Sequence, residues 1–144
     1  MPAFVALLDR RLKVSALIDG AKSGGKIESV RAAARDNEVP LSSIIACSQV
    51  DNSLPSTADI EDLFDVEDYL QLYNWAFNTS LSAGDLAQTA EPILRRIEKA
   101  RGKFDHALPA HALTTHRQKF FETLKPATVA RFEKLFEMLN GTLT

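Results

Sequence analysis

Lys13-Val14-Ser15-Ala16-Leu17-Ile18-Asp19-Gly20 is the stretch on which the reading of the fold turns. It is a short, largely apolar run that ends in an acid and a glycine, the profile of a buried strand followed by a break. The loop Ala21-Lys22-Ser23-Gly24-Gly25 follows it. A helix is then expected from about Lys26 to Asn37, with Ile27, Val30 and Ala34 on one face. Pro40 precedes a second apolar run, Leu41 to Cys47, read as another strand. Strand, helix and strand joined by so short a crossover predict a parallel βαβ unit.

Outward from that unit, Ala3 to Arg11 places Phe4, Leu7 and Leu8 at helical spacing, which predicts a short opening helix. Ser48 to Ala58, with Asn52, Ser53, Pro55 and Ser56, reads as a polar loop. Beyond Asp65 the period changes to 3.6. Val66, Tyr69, Leu70, Tyr73, Ala76 and Phe77 form one stripe, and Asp65 is placed to cap it. Further helices are expected from Pro92 to Arg101, stopped by Gly102, from about Pro109 to Leu124, and from Pro126 to Asn140-Gly141. The expected division is an α/β region over residues 1–64 and a helical region over 65–144, packed as one compact unit. Two strands are few for a parallel sheet, whose faces and edges need cover. The chain therefore reads either as a dimer formed through a sheet edge or as a form that has lost strands.

Composition is that of a globular domain: 144 residues, 45% apolar, 25% charged, net charge −2. The acidic balance does not suggest broad phosphate-backbone binding, although local basic patches are compatible with it. Cys47 is the only cysteine and lies in the apolar run Ile44-Ile45-Ala46-Cys47, so it reads as a buried inert thiol. No apolar stretch approaches the roughly 20 residues that span a bilayer. No membrane association is expected, and the simple location is cytoplasmic.

Chemistry is concentrated in Asp59-Ile60-Glu61-Asp62-Leu63-Phe64, which opens a ten-residue segment holding six carboxylates. Apolar Ile60, Leu63 and Phe64 anchor the turn, so it is not a solvated acidic tail. Asp19 at a strand end and this turn beyond the next strand could converge on a hard cation, which takes several carboxylate oxygens. The bland alternative assigns the same acids to caps and to the first turn of the helix after Asp65. Gly20-Ala21-Lys22-Ser23-Gly24-Gly25-Lys26 has phosphate-loop spacing, but Ile27 stands where a magnesium-ligating Ser or Thr belongs, so a plain glycine-rich turn competes with it. His106, His111 and His116 recur every five residues, not at the i, i+4 spacing of a helical zinc pair, and read as surface or capping histidines. Trp75, Tyr69, Tyr73 and Phe77 read as core aromatics rather than a base-stacking platform.

Leu17-Ile18-Asp19-Gly20-Ala21 together with Asp59-Ile60-Glu61 resembles the TOPRIM nuclease domain of the OLD-type (overcoming lysogenization defect) ATP-dependent endonucleases. The resemblance extends through Phe4–Leu8, through the apolar frame Phe64, Tyr69, Leu70 and Phe77, and through Gly102–His106, Pro109-Ala110 and Arg131–Phe136. It implies an α/β fold, a truncated Rossmann-like TOPRIM core with few parallel strands followed by a C-terminal helical bundle. It also implies metal-dependent cleavage of DNA phosphodiesters, with Mg2+ or Mn2+ held weakly by Asp19, Asp59 and Glu61. Lys103 is the implied stabiliser of phosphate charge, with Lys119 second. The family's Asp-x-Asp pair is half present, because its second position is Ala21. The family's first acidic residues lie on a strand before the opening helix, so this sequence is expected to be a fragment of that domain, and whether it cleaves DNA alone is left open by the sequence. Implied partners are DNA and an ATPase domain or a homodimer mate. The alternative is a non-catalytic interaction module that pairs with an ATPase or with itself.

Overall fold

A computed structural model describes residues 15–19, 24–36 and 39–143, with the backbone alone at 24–27. Within them lie two strands, β1 (Ala16–Ile18) and β2 (Ile44–Ala46), and five helices. The helices are α1 (Gly24–Asp36), α2 (Val66–Phe77), α3 (Ile93–Arg101), α4 (Ala107–Thr123) and α5 (Pro126–Leu143). The fold is mixed α/β with a helical bulk around a small sheet. The expected opening helix over Ala3–Arg11 and the loop at Gly20–Ser23 lie outside the described residues.

β1 and β2 pair in parallel, with Ala16 opposite Ile44, Leu17 opposite Ile45 and Ile18 opposite Ala46. Side chains alternate between faces along a strand. Ile18 and Ile44 accordingly pack with Val30 and Ala34 of α1 and with Val39. Leu17 and Ile45 face the other way, against Phe132, Leu135, Met138 and Leu139 of α5, with Leu63 and Val50 beside them. The last helix of the chain thus covers the sheet face that α1 leaves bare. The helical region beyond residue 65 is part of the sheet's core, and the sheet lies between α1 and α5.

Several boundaries differ from expectation, and two of them have a clear local cause. Leu41–Ser43 is a 3₁₀ turn, not strand, because Pro40 holds its φ at −57° and its carbonyl accepts the Ser43 amide at 2.9 Å. The strand is therefore only three residues long. It is closed at its far end when the Gln49 side chain accepts the Ala46 amide at 2.8 Å. Helix α1 begins two residues early, at Gly24, since glycine is tolerated in a first turn whose amides lack intrahelical partners.

The second core joins α2 and α3 through Tyr69, Leu70, Tyr73, Ile93, Leu94 and Ile97, with Leu81 and Leu86 from the loop between them. Phe64 joins the two cores, its ring 5.0 Å from Phe132 and 6.0 Å from Phe120. Helix α4 is kinked at His116 (φ −111°, ψ 21°), whose ring lies 4.9 Å from Trp75. Among the described residues no helix is long and apolar enough to cross a membrane.

Candidate metal centre

Because β1 and β2 are parallel, their C-terminal ends open on the same edge, where ligands of α/β sheets collect. Asp19 follows β1 and Cys47 follows β2. The polar loop then returns the chain as a 3₁₀ turn, Ile60–Leu63, anchored by fully buried Leu63. This turn brings Asp59 and Glu61 to Asp19, and one carboxylate oxygen from each lies within 4.8 Å of the others. All three metal candidates from the sequence are therefore together.

The six acids of residues 59–68 divide between the two readings. Asp62 is structural: it accepts the Asp59 amide at 2.8 Å and the Ile93 amide at 2.7 Å, capping α3 from 31 residues away. Asp65 caps α2 by accepting the Glu67 amide at 3.0 Å. Asp68 is buried and accepts from the Lys125 amide and the Thr128 hydroxyl, fixing the start of α5. Glu67 pairs with Lys125. Asp59 and Glu61 remain to face Asp19.

Asp59 is 0% exposed, and its carboxylate receives no backbone or side-chain donor, its hydrogen-bonding neighbour being the Asp19 carboxyl. A buried acceptor pair in that state is costly and is rare in native proteins. Asp19 faces it, but an ionised Asp19 offers no proton; a proton shared between the two acids, or a cation, satisfies both. Burial first, then Asp19, Glu61 and Asp62, push the Asp59 carboxyl up to about 8. Burial also raises Glu61, with Asp19 adding to the rise, while its own backbone amide and His106 oppose it. Burial raises Asp62 despite its two amide donors and nearby Arg96. The Cys47 thiol beneath the cluster is fully buried and is pushed up to about 12 by burial and by the four acids. It is an inert thiol, as its apolar context suggests.

The donor set fits a hard divalent cation: oxygen ligands only, negative in sum, with one acid lacking any partner of its own. Three oxygens at most 4.8 Å apart leave a central point at most about 2.8 Å from each. Closing by a few tenths of an ångström reaches the roughly 2.3–2.6 Å of calcium, and by about 0.7 Å the roughly 2.0–2.1 Å of magnesium.

The basic candidates are placed differently. Lys103 is exposed in the α3–α4 connection. Lys119 lies 5.6 Å from the centroid of Trp75. The basic group that acts most on Glu61 is His106, which also lies 3.7 Å from Glu98. Sequence reasoning placed His106 as a surface or capping residue. It does occupy the N-cap position of α4, but its side chain makes no capping bond. The Tyr69 ring lies in the core, as its place in the stripe predicts, and its hydroxyl is a third buried polar atom without a donor or acceptor beside it, after the two Asp59 oxygens. Ala21 lies outside the described residues. No family model, curated protein or solved structure matches the chain.

Proposed function

We propose that Asp19, Asp59 and Glu61 bind a divalent cation, magnesium or manganese, as the metal half of an OLD-type TOPRIM phosphodiester-cleaving centre. The observation that carries the reading is Asp59: a wholly buried carboxylate that collects no donor and faces two other acids at the C-terminal edge of a parallel sheet. A structural carboxylate in that position would be expected to collect donors, as Asp62 and Asp68 do. When bound, the cation supplies charge neutralisation for a phosphate and lowers the pKa of a coordinated water. Asp19, exposed at the strand end, is the ligand open to substrate; Asp59 anchors from below, and Glu61 closes the side toward His106. The substrate class implied by the resemblance is DNA, and the Asp-x-Asp pair of that family is half present here, its second position being Ala21.

Calorimetric titration of the purified chain with manganese tests this, alongside Asp19→Ala and Glu61→Ala. Saturable binding in the wild type that is lost in both variants is the expected result. Binding that survives both substitutions, or none up to millimolar metal, overturns it. Metal-dependent nicking of supercoiled DNA, abolished by Glu61→Ala, tests the catalytic half separately.

A second reading, a self-associating interaction module, is favoured by α5. Val129, Phe136 and Leu143 recur every seven residues on its outer side, and Phe136 is 60% exposed. Exposed apolar surface of this kind marks contact sites.

A further inference from the structure

A groove of about 510 Å³ runs along the outer edge of β2, a volume within the range of small-ligand sites. Arg31 and Arg35 of α1 line one side, Met138 of α5 the other, and Leu41, Ile44 and Gln49 lie between them. The i, i+4 spacing puts both arginines on one face of α1, while Val30 and Ala34 pack toward the sheet. An added strand would find no donors at this edge. The Ile44 amide donates to the Leu41 carbonyl, and the Gln49 side chain accepts the Ala46 amide at 2.8 Å.

We propose that this groove binds a small organic anion, an apolar body carrying one carboxylate, sulfonate or phosphate group, with Arg31 as the anchor of the charge. None of Asp19, Asp59 and Glu61 lines it, so the inference stands apart from the metal centre.

Among the described residues, the partly buried arginines and lysines are Arg31, Arg96, Lys125 and Arg131. Arg96 donates to the Ala87 carbonyl, Lys125 pairs with Glu67, and Arg131 pairs with Asp51. Arg31 alone of these has no partner. A guanidinium drawn partly out of water has five N–H donors to satisfy and a charge to balance. Glu28 is the one carboxylate lining the groove, and Arg35 holds it at 2.7 Å. The charge of Arg31 is therefore left over. Gln49 adds a second donor, because its Oε1 faces the Ala46 amide and leaves Nε2 for a ligand. Leu41 is 42% exposed and forms an apolar floor with Met138. A planar guanidinium takes an anionic oxygen pair through parallel N–H bonds, while the ligand's apolar body covers Leu41.

The deciding experiment titrates the full chain with anilinonaphthalene sulfonate, whose fluorescence rises in an apolar site, and with phenylnaphthylamine, the same rings without the sulfonate. The expected result is saturable one-to-one binding of the sulfonate by wild type, weakened about tenfold in Arg31→Gln by loss of a charge-assisted bond. Arg117→Gln, at an exposed position of α4, should bind as wild type does. The melting temperature of Arg31→Gln should match wild type, because Arg31 makes no bond within the fold. Phenylnaphthylamine should bind weakly, and equally to wild type and Arg31→Gln. Leu41→Asp sets a carboxylate in the floor and should abolish sulfonate binding; it decides the matter if Arg31→Gln does not fold. No saturable binding by wild type overturns the inference. Equal sulfonate affinity in wild type and either groove variant, or an amine that binds as tightly as the sulfonate, overturns it as well.

Discussion

Replacing Asp59 with asparagine should stabilise this protein in the absence of metal while removing its response to metal. The carboxyl titrates near 3.8 when solvated and is pushed up to about 8 in the folded chain. A raised value means that the folded state holds the proton more tightly than the unfolded state. Stability is therefore greatest below pH 4 as far as this group is concerned, and it falls as pH rises through the window to about 8. At pH 7.5 nearly four units of that window have been crossed, which caps the linked cost at about 5 kcal/mol. Asp19 is exposed and can turn toward solvent, so about 2 kcal/mol is the expected effect. For a chain of this size, that corresponds to about 4–8 °C in melting temperature. The asparagine side chain carries no charge, and its amide can donate to Asp19. Thermal unfolding with chelator, at pH 5 and pH 7.5, should show Asp59→Asn above wild type at the higher pH and by only about a third of that margin at the lower. Adding manganese should raise the wild-type melting point and leave the variant's unmoved. A variant that melts below wild type at pH 7.5 in chelator, or keeps its pH dependence, refutes the reasoning.

Other substitutions address the frame around the site. Leu135→Ala should cost about 2–5 kcal/mol in urea unfolding, because α5 is the cover of one sheet face. Thr128→Val should cost about 2 kcal/mol: it removes the acceptor for the Asp65 amide and one of the donors to buried Asp68. The Cys47 thiol, pushed up to about 12, should react with a disulfide reagent at pH 8 only as fast as the protein unfolds. Phe136→Glu should leave folding stability within about 0.5 kcal/mol, and sedimentation should show any self-association lost with it.

Much of this architecture is legible from local pattern. Lys13–Asp19 and Leu41–Cys47 read as strands because each is a short apolar run bounded by breakers, and the stripe from Val66 to Phe77 reads as a helix from its period. The α5 stripe is equally visible, but a stripe says only that one face is buried. That Phe132, Leu135 and Leu139 bury against Leu17 and Ile45 is a long-range fact with no local signature. Asp19 and the acidic turn could be paired because a strand end and that turn follow one another across a βα crossover, while the choice of Asp59 and Glu61 within the turn came from the resemblance. The sequence could not divide the six acids, since Asp62 and Asp68 are distinguished by donors from Ile93, Lys125 and Thr128, all distant in the chain. Tyr69 shows the same limit. In the stripe it is one more large residue, and only the packed structure shows a hydroxyl with nothing to bond.

The central claim concerns one point in space between three carboxylates. A crystal soaked in manganese, with diffraction recorded near the manganese absorption edge, locates the ion directly by its anomalous signal. The account predicts a peak in contact with carboxylate oxygens of Asp19, Asp59 and Glu61, and its absence in Asp59→Asn crystals. Saturating manganese with no peak between those residues would contradict it.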